Sequence, residues 1–85
     1  AEGSVQYEGQ SVLLTRNENR ILQALMERRG QVVSRELLMT KLWETDEFVD
    51  ENTLTVNVGR LRRKLEGLGA VDMIQTRKGM GYILA

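Results

Sequence analysis

Residues 52–66 read NTLTVNVGRLRRKLE. With Leu54 set at zero and an advance of 100° per residue, Val58 falls at about 40°, Leu61 at about 340° and Leu65 at about 20°. These apolar side chains form one narrow stripe, so the stretch is expected to be an amphipathic helix with that stripe buried. The opposite side carries Asn52, Val56, Gly59, Arg60 and Arg63, with Arg62 and Lys64 on the flanks. Arg60, Arg62, Arg63 and Lys64 crowd positive charge into its second half.

A helix buried on one side and basic on the other can enter the major groove of a duplex. There, arginines reach guanine edges or phosphates, a valine meets a thymine methyl and an asparagine pairs with adenine. The bland alternative is a solvated basic face, with Val56 touching a neighbouring loop. Asn52 suits a helix cap as well as a base contact. Glycine inside a helix costs about 0.5–1 kcal/mol relative to alanine. At Gly59, either close approach to a groove wall or tolerated drift accounts for it.

The chain of 85 residues is expected to form one domain with a thin core. It has no cysteine and no histidine, which removes disulfides, thiolate metal sites and the commonest general base. No carboxylate pair looks arranged for catalysis, so neither enzyme, cofactor nor metal is expected. No apolar run approaches the length of a bilayer span, and the amino end lacks the basic and apolar regions of a signal peptide. Twelve basic and twelve acidic side chains cancel. Their distribution is uneven: residues 44–51, ETDEFVDE, hold five acids and no base, whereas residues 60–78 hold six bases and two acids. Steering depends on where charge sits as well as on its sum.

Residues 4–14, SVQYEGQSVLL, alternate apolar and polar positions around EG and predict short strands about a turn. Thr15 and Glu18 fit a capping box, and Ile21, Leu22, Leu25 and Met26 recur at helical spacing. A first helix is expected over 16–29, ended by Gly30. QVV is long enough only for a bridge strand or linker. Ser34 caps a second helix over 35–43, with Leu37, Leu38, Leu42 and Trp43 on its apolar side. Phe48 and Val49 are expected to tuck back against the domain, and Asp50 or Asn52 to cap the third helix. In the final section, VDMIQTRKGMGYILA, strand-forming residues flank RKGMG, as in a hairpin with a basic tip.

The segments LTRNENRIL, GQVVSRELLMTKLW, VDENTLTVNVGRLRRKLE and IQTRKGMGYIL together resemble the winged-helix effector domain of the OmpR/PhoB-type response regulators. The resemblance covers essentially the whole chain. It implies an α+β winged helix-turn-helix with an amino-terminal four-stranded antiparallel sheet, three helices and a carboxy-terminal wing hairpin. Residues 52–66 would be the recognition helix in the major groove, and residues 77–81 the wing at the minor groove. By matching position, Val56, Arg60 and Arg62 would contact bases, with Arg63 a nearby basic position. Trp43, Asn57 and Thr76 would hold the phosphate backbone. Lys78 would enter the minor groove, and Arg77 would lie toward a phosphate or back over the domain. The acidic connection, with Glu44, Asp46, Glu47, Asp50 and Glu51, corresponds to a loop that in this family can face RNA polymerase. Gly59 stands where many members place a larger residue, Lys78 replaces the usual arginine, Arg77 stands where an apolar residue is common, and Asn57 replaces a frequent histidine. These departures bear on which sequence is bound.

The resemblance further implies sequence-specific binding of double-stranded DNA, at direct repeats, and transcription regulation in the cytoplasm. A receiver domain outside this chain would connect it to a sensor histidine kinase. The fragment alone is expected to be mainly monomeric without DNA. A winged helix that binds protein in place of DNA is the alternative, supported by the zero net charge and the acidic segment.

Overall fold

Glu8 and Gly9 both have positive φ, 49° and 83°, the combination a tight two-residue hairpin needs. They join β1 (Gly3–Tyr7) to β2 (Gln10–Leu14) in the computed structural model, which describes residues 3–44 and 49–85. The strands pair antiparallel with Val5 opposite Val12. Where the resemblance implies four amino-terminal strands, the described residues contain two.

Helix α1 (Arg16–Glu27) begins as its sequence requires: the Thr15 hydroxyl accepts from the Glu18 amide, and the Glu18 carboxylate from the Thr15 amide. It ends at Glu27, two residues short of the expected 29: Arg28 leaves helical geometry at φ −122° and ψ 35°, the Arg28 and Arg29 amides tighten onto the Leu25 and Met26 carbonyls, and Gly30 completes the turn at φ 82°. Ile21, Leu22, Ala24 and Leu25 face the core, but Met26 is 58% exposed. It lies one step beyond the buried arc.

β3 (Val32–Ser34) is followed at once by α2 (Arg35–Trp43), with the Ser34 hydroxyl accepting from the Leu37 amide. Leu38 and Leu42 are buried, Leu37 is half-buried, and Trp43 lies outside the core. Of the two expected caps for α3 (Glu51–Gly67), Asp50 is the one used: its carboxylate accepts from the Thr53 amide and hydroxyl, both at 2.8 Å. Those two bonds hold the Asp50 pKa below its ordinary value. Leu54, Val58, Leu61 and Leu65 are buried as the wheel requires, and the three helices pack on one another around them.

β4 (Ile74–Arg77) and β5 (Gly81–Leu84) form the terminal hairpin. β3 pairs with the other edge of β5, giving the antiparallel order β3-β5-β4. The two valines of QVV, with Ser34, therefore form the third strand of the wing sheet. Gly79 supplies the turn with φ 75°. Gly81 is needed for another reason. A Cβ there would lie 2.0 Å from the Val33 carbonyl oxygen, so glycine is what lets β5 pass against β3. Val49 is buried beside the core; Phe48 lies outside the described residues.

One charged pair lies inside this framework. Glu18 is 1% exposed, and its Oε1 accepts from Lys64 Nζ at 2.5 Å. The same ammonium donates to the Leu13 carbonyl at 3.0 Å. Burial pushes the Glu18 carboxyl up, but Lys64 and the Thr15 amide outweigh it and leave the pKa below the usual carboxylate value. A lowered folded pKa contributes stability that is present above the unfolded pKa and lost as pH falls through the folded one. Glu18→Gln should therefore cost about 1–3 kcal/mol at neutral pH. Wild type and variant should converge in acid, which urea or thermal melts over a pH series will check.

Candidate nucleic-acid interface

The outer face of α3 is built by exclusion. Burying its leucines leaves Val56 (39% exposed), Arg60 and Arg63 in solvent. Neither arginine has a hydrogen bond or ion pair among the described residues. Gly59 lies between them and Val56, and a Cβ there would meet no atom within 4 Å. The concentration of four bases read from the sequence is thus divided. Lys64 is held by Glu18, and half-buried Arg62 donates from Nη2 to the Thr76 hydroxyl at 3.1 Å. The Arg62 Nε is buried without a partner.

That Arg62–Thr76 bond sets the exposed face of α3 beside the wing. Arg77 ends β4 opposite Gly81, and Lys78 opens the turn that the Met80 amide closes on the Arg77 carbonyl at 2.9 Å. Arg77, Lys78 and Met80 are all exposed. Strict strand alternation, which would send Arg77 and Lys78 to opposite sides, ends at Arg77.

Besides Thr76, two more expected backbone contacts already have partners. Trp43 is 64% exposed, but its indole N–H donates to the Val49 carbonyl at 3.1 Å; the ring, not the N–H, is what it offers. Asn57 is buried, and its amide donates to the Thr53 carbonyl at 2.8 Å. The wheel contained that signal, since Asn57 falls at about 300°, on the shoulder of the buried stripe.

The acidic segment separates into parts. Glu44 is exposed and pairs with Arg20 at 3.5 Å, Asp50 caps α3, and Glu51 lies in its first turn. Asp46 and Glu47 fall outside the described residues. No group of histidine, cysteine or acidic side chains among the described residues could hold a metal ion.

The family described as "Transcriptional regulatory protein, C terminal" matches residues 9–84. The response regulator protein GraR of Staphylococcus aureus strain MRSA252 is 42% identical over 83 residues, 98% of this chain and 37% of that protein. The chain belongs to the C-terminal winged-helix DNA-binding domains of OmpR/PhoB-type response regulators. It spans about a third of the length of the curated relatives it matches. Among solved structures, the C-terminal domain of the nisin resistance regulator NsrR superposes with a TM-score of 0.85 at 47% identity, covering 98% of this chain and 84% of that one. The DNA-binding domain of the response regulator AdeR, solved with an intercistronic region, gives 0.82 at 30% identity over 95% and 82% of the two chains.

In this DNA-binding output domain, one polar residue has no signal in the local sequence. Arg35 opens α2, and its Nη1 donates to the Tyr82 hydroxyl at 2.7 Å; its Nη2 donates to the Thr55 hydroxyl at 2.9 Å and the Glu51 carbonyl at 3.2 Å. A local helix wheel cannot show such bonds, which span up to 47 residues.

The open space at Gly59 gives a direct expectation. Gly59→Ala should stabilise the domain by about 0.5–1 kcal/mol, because alanine restricts the unfolded chain and meets nothing in the folded one. Should the glycine serve close approach to a duplex, the same change weakens specific binding. Thermal melting and duplex titration on one preparation measure the two effects.

Proposed function

We propose that α3 is the recognition helix in the major groove of double-stranded DNA and that the β4–β5 hairpin is the wing at the adjoining minor groove. The observation that carries this reading is the Arg62–Thr76 bond, which joins the solvent face of α3 to the wing. Arg60 reads a base edge and Val56 meets a thymine methyl. Arg63 and Arg77 hold phosphates, and Lys78 enters the minor groove as a flexible point charge. Arg62 reaches a base only by releasing Thr76. Trp43 and Thr76 border the phosphate backbone, with Trp43 offering its ring. Asn57 acts through the helix it braces. AdeR, a relative of the same fold, is described with an intercistronic region, which supports a duplex as the ligand here.

In this reading the full-length protein carries a receiver domain addressed by a sensor histidine kinase in the cytoplasm. It regulates transcription from direct repeats, with the effector domain monomeric off DNA. The acidic connection, with Glu44, Asp46, Glu47, Asp50 and Glu51, carries charge that a duplex repels, and the family resemblance assigns it to RNA polymerase, with Asp50 also serving as the cap of α3. No described helix is long and apolar enough to cross a membrane.

Selection of bound duplexes from a random pool tests the reading and gives the half-site, spacing and orientation. On the selected site, Arg60→Ala should cost about 1–3 kcal/mol at one or two base positions. Lys78→Ala should weaken all duplexes similarly and lower the salt slope by about one. Equal loss for selected and random duplex on removing Arg60 would reassign it to a phosphate. A wild-type protein with no salt-dependent duplex binding would sink the DNA reading and favour a protein partner.

A further inference from the structure

The wing is attached to α3 at two points, both on one cross-strand pair. Thr76 of β4 lies opposite Tyr82 of β5. Thr76 accepts from Arg62, in the second half of α3. Tyr82 accepts from Arg35, whose other terminal nitrogen holds Thr55 and the Glu51 carbonyl in the first half of α3. Tyr82 is 5% exposed, and the Arg35 guanidinium carbon lies 5.6 Å from its ring centroid. Arg62 lies seven positions after Thr55, about 10 Å along a helix axis. The base of the hairpin is held by the pairing of β5 with β3 and by the burial of Ile74, Tyr82 and Leu84. Two side-chain bonds this far apart add a direct constraint on its distance from α3 and on its angle to it.

We propose that Arg35, acting through Tyr82 and Thr55 together with the Arg62–Thr76 bond, is a positioning residue that sets the wing against the recognition helix and so couples reading of the two grooves. The inference rests on the DNA reading for its function and on the hydrogen bonds for its geometry. Arg35 touches no base in this scheme. Both of its terminal nitrogens are engaged by protein acceptors, and its planar fork spans acceptors on separate elements, which a lysine ammonium on one flexible stem does not reproduce.

The test compares wild type with Tyr82→Phe, Arg35→Met and Arg35→Lys. Residual dipolar couplings of the free proteins give the orientation of β4–β5 relative to α3. Titrations with selected and random duplex over a salt series give specificity and salt slope. Tyr82→Phe keeps the ring and removes one acceptor, so it holds the fold even if Arg35→Met does not. Tyr82→Phe and the folded arginine variants should each alter or loosen the wing orientation. Specific affinity should fall roughly three- to tenfold, while random-duplex affinity and the salt slope stay as in wild type. Arg35→Lys should not restore specificity.

Full rescue by lysine, or a salt slope lower by about one in Arg35→Met with Tyr82→Phe silent, would make Arg35 a phosphate contact and overturn the proposal. So would an unchanged wing orientation in Tyr82→Phe. If wild type itself shows no preference for a selected duplex, the DNA reading fails. The clamp is then judged on the dipolar couplings alone.

Discussion

Lys64 reaches from α3 to the buried carboxylate of Glu18, and the rest of the arrangement depends on that contact. Glu18 is already part of the Thr15 capping box, so the ion pair joins α3 to the first turn of α1. The second bond from Lys64, to the Leu13 carbonyl, brings in the end of β2. A buried carboxylate without a cation is strongly unfavourable, so rotations of α3 that withdraw Lys64 are disfavoured. The leucine stripe alone tolerates some rolling, because apolar contact is non-directional. The ion pair adds direction, and with it decides which residues of α3 face water.

That direction explains how a domain of zero net charge can present a basic face. Of the acidic side chains, Glu18 is withdrawn and paired inside, whereas Asp50 caps α3 and Glu44 pairs with Arg20 while both stay exposed. The bases of α3 and the wing are also divided. Lys64 and Arg62 brace the structure, whereas Arg60, Arg63, Arg77 and Lys78 are exposed. The composition counts all of them equally. The local field that a polyanion meets is set by the exposed group.

Features with a local cause are legible in the sequence. Thr15, Ser34 and Asp50 cap helices because their short side chains reach amides two or three residues on. The α3 stripe follows from a period that any window of the chain displays. Features that depend on meeting a distant strand are not legible. QVV carries too few residues to announce a strand, yet the edge of β5 supplies partners for the backbone of Val32, Val33 and Ser34. Trp43 has the apolar character of a core residue, but in the last turn of α2 it is Leu42 that faces the core and Trp43 that faces out. The family resemblance makes Asn57 a surface contact, although its position on the wheel lies beside the buried stripe. The long-range bonds of Arg35 have no local signature at all.

The same distinction bears on how recognition is built. Arg60 and Val56 can be exchanged with little effect on packing, since α3 is held by its other side. Arg62 differs. Its Nη2 is bonded to Thr76 while its Nε is buried with no partner, an arrangement that leaves one donor unsatisfied. Release toward a duplex would free that nitrogen and break one of the wing's two side-chain links to α3 in the same motion, with the β3–β5 pairing left intact. Retention would keep the wing fixed and forgo a base contact. The attachment through Arg35 and Tyr82 lowers the cost of release, because the hairpin keeps one tether to α3 when Arg62 leaves. A winged helix with both tethers can therefore hold its wing in place before DNA arrives and still give up one arginine to the groove.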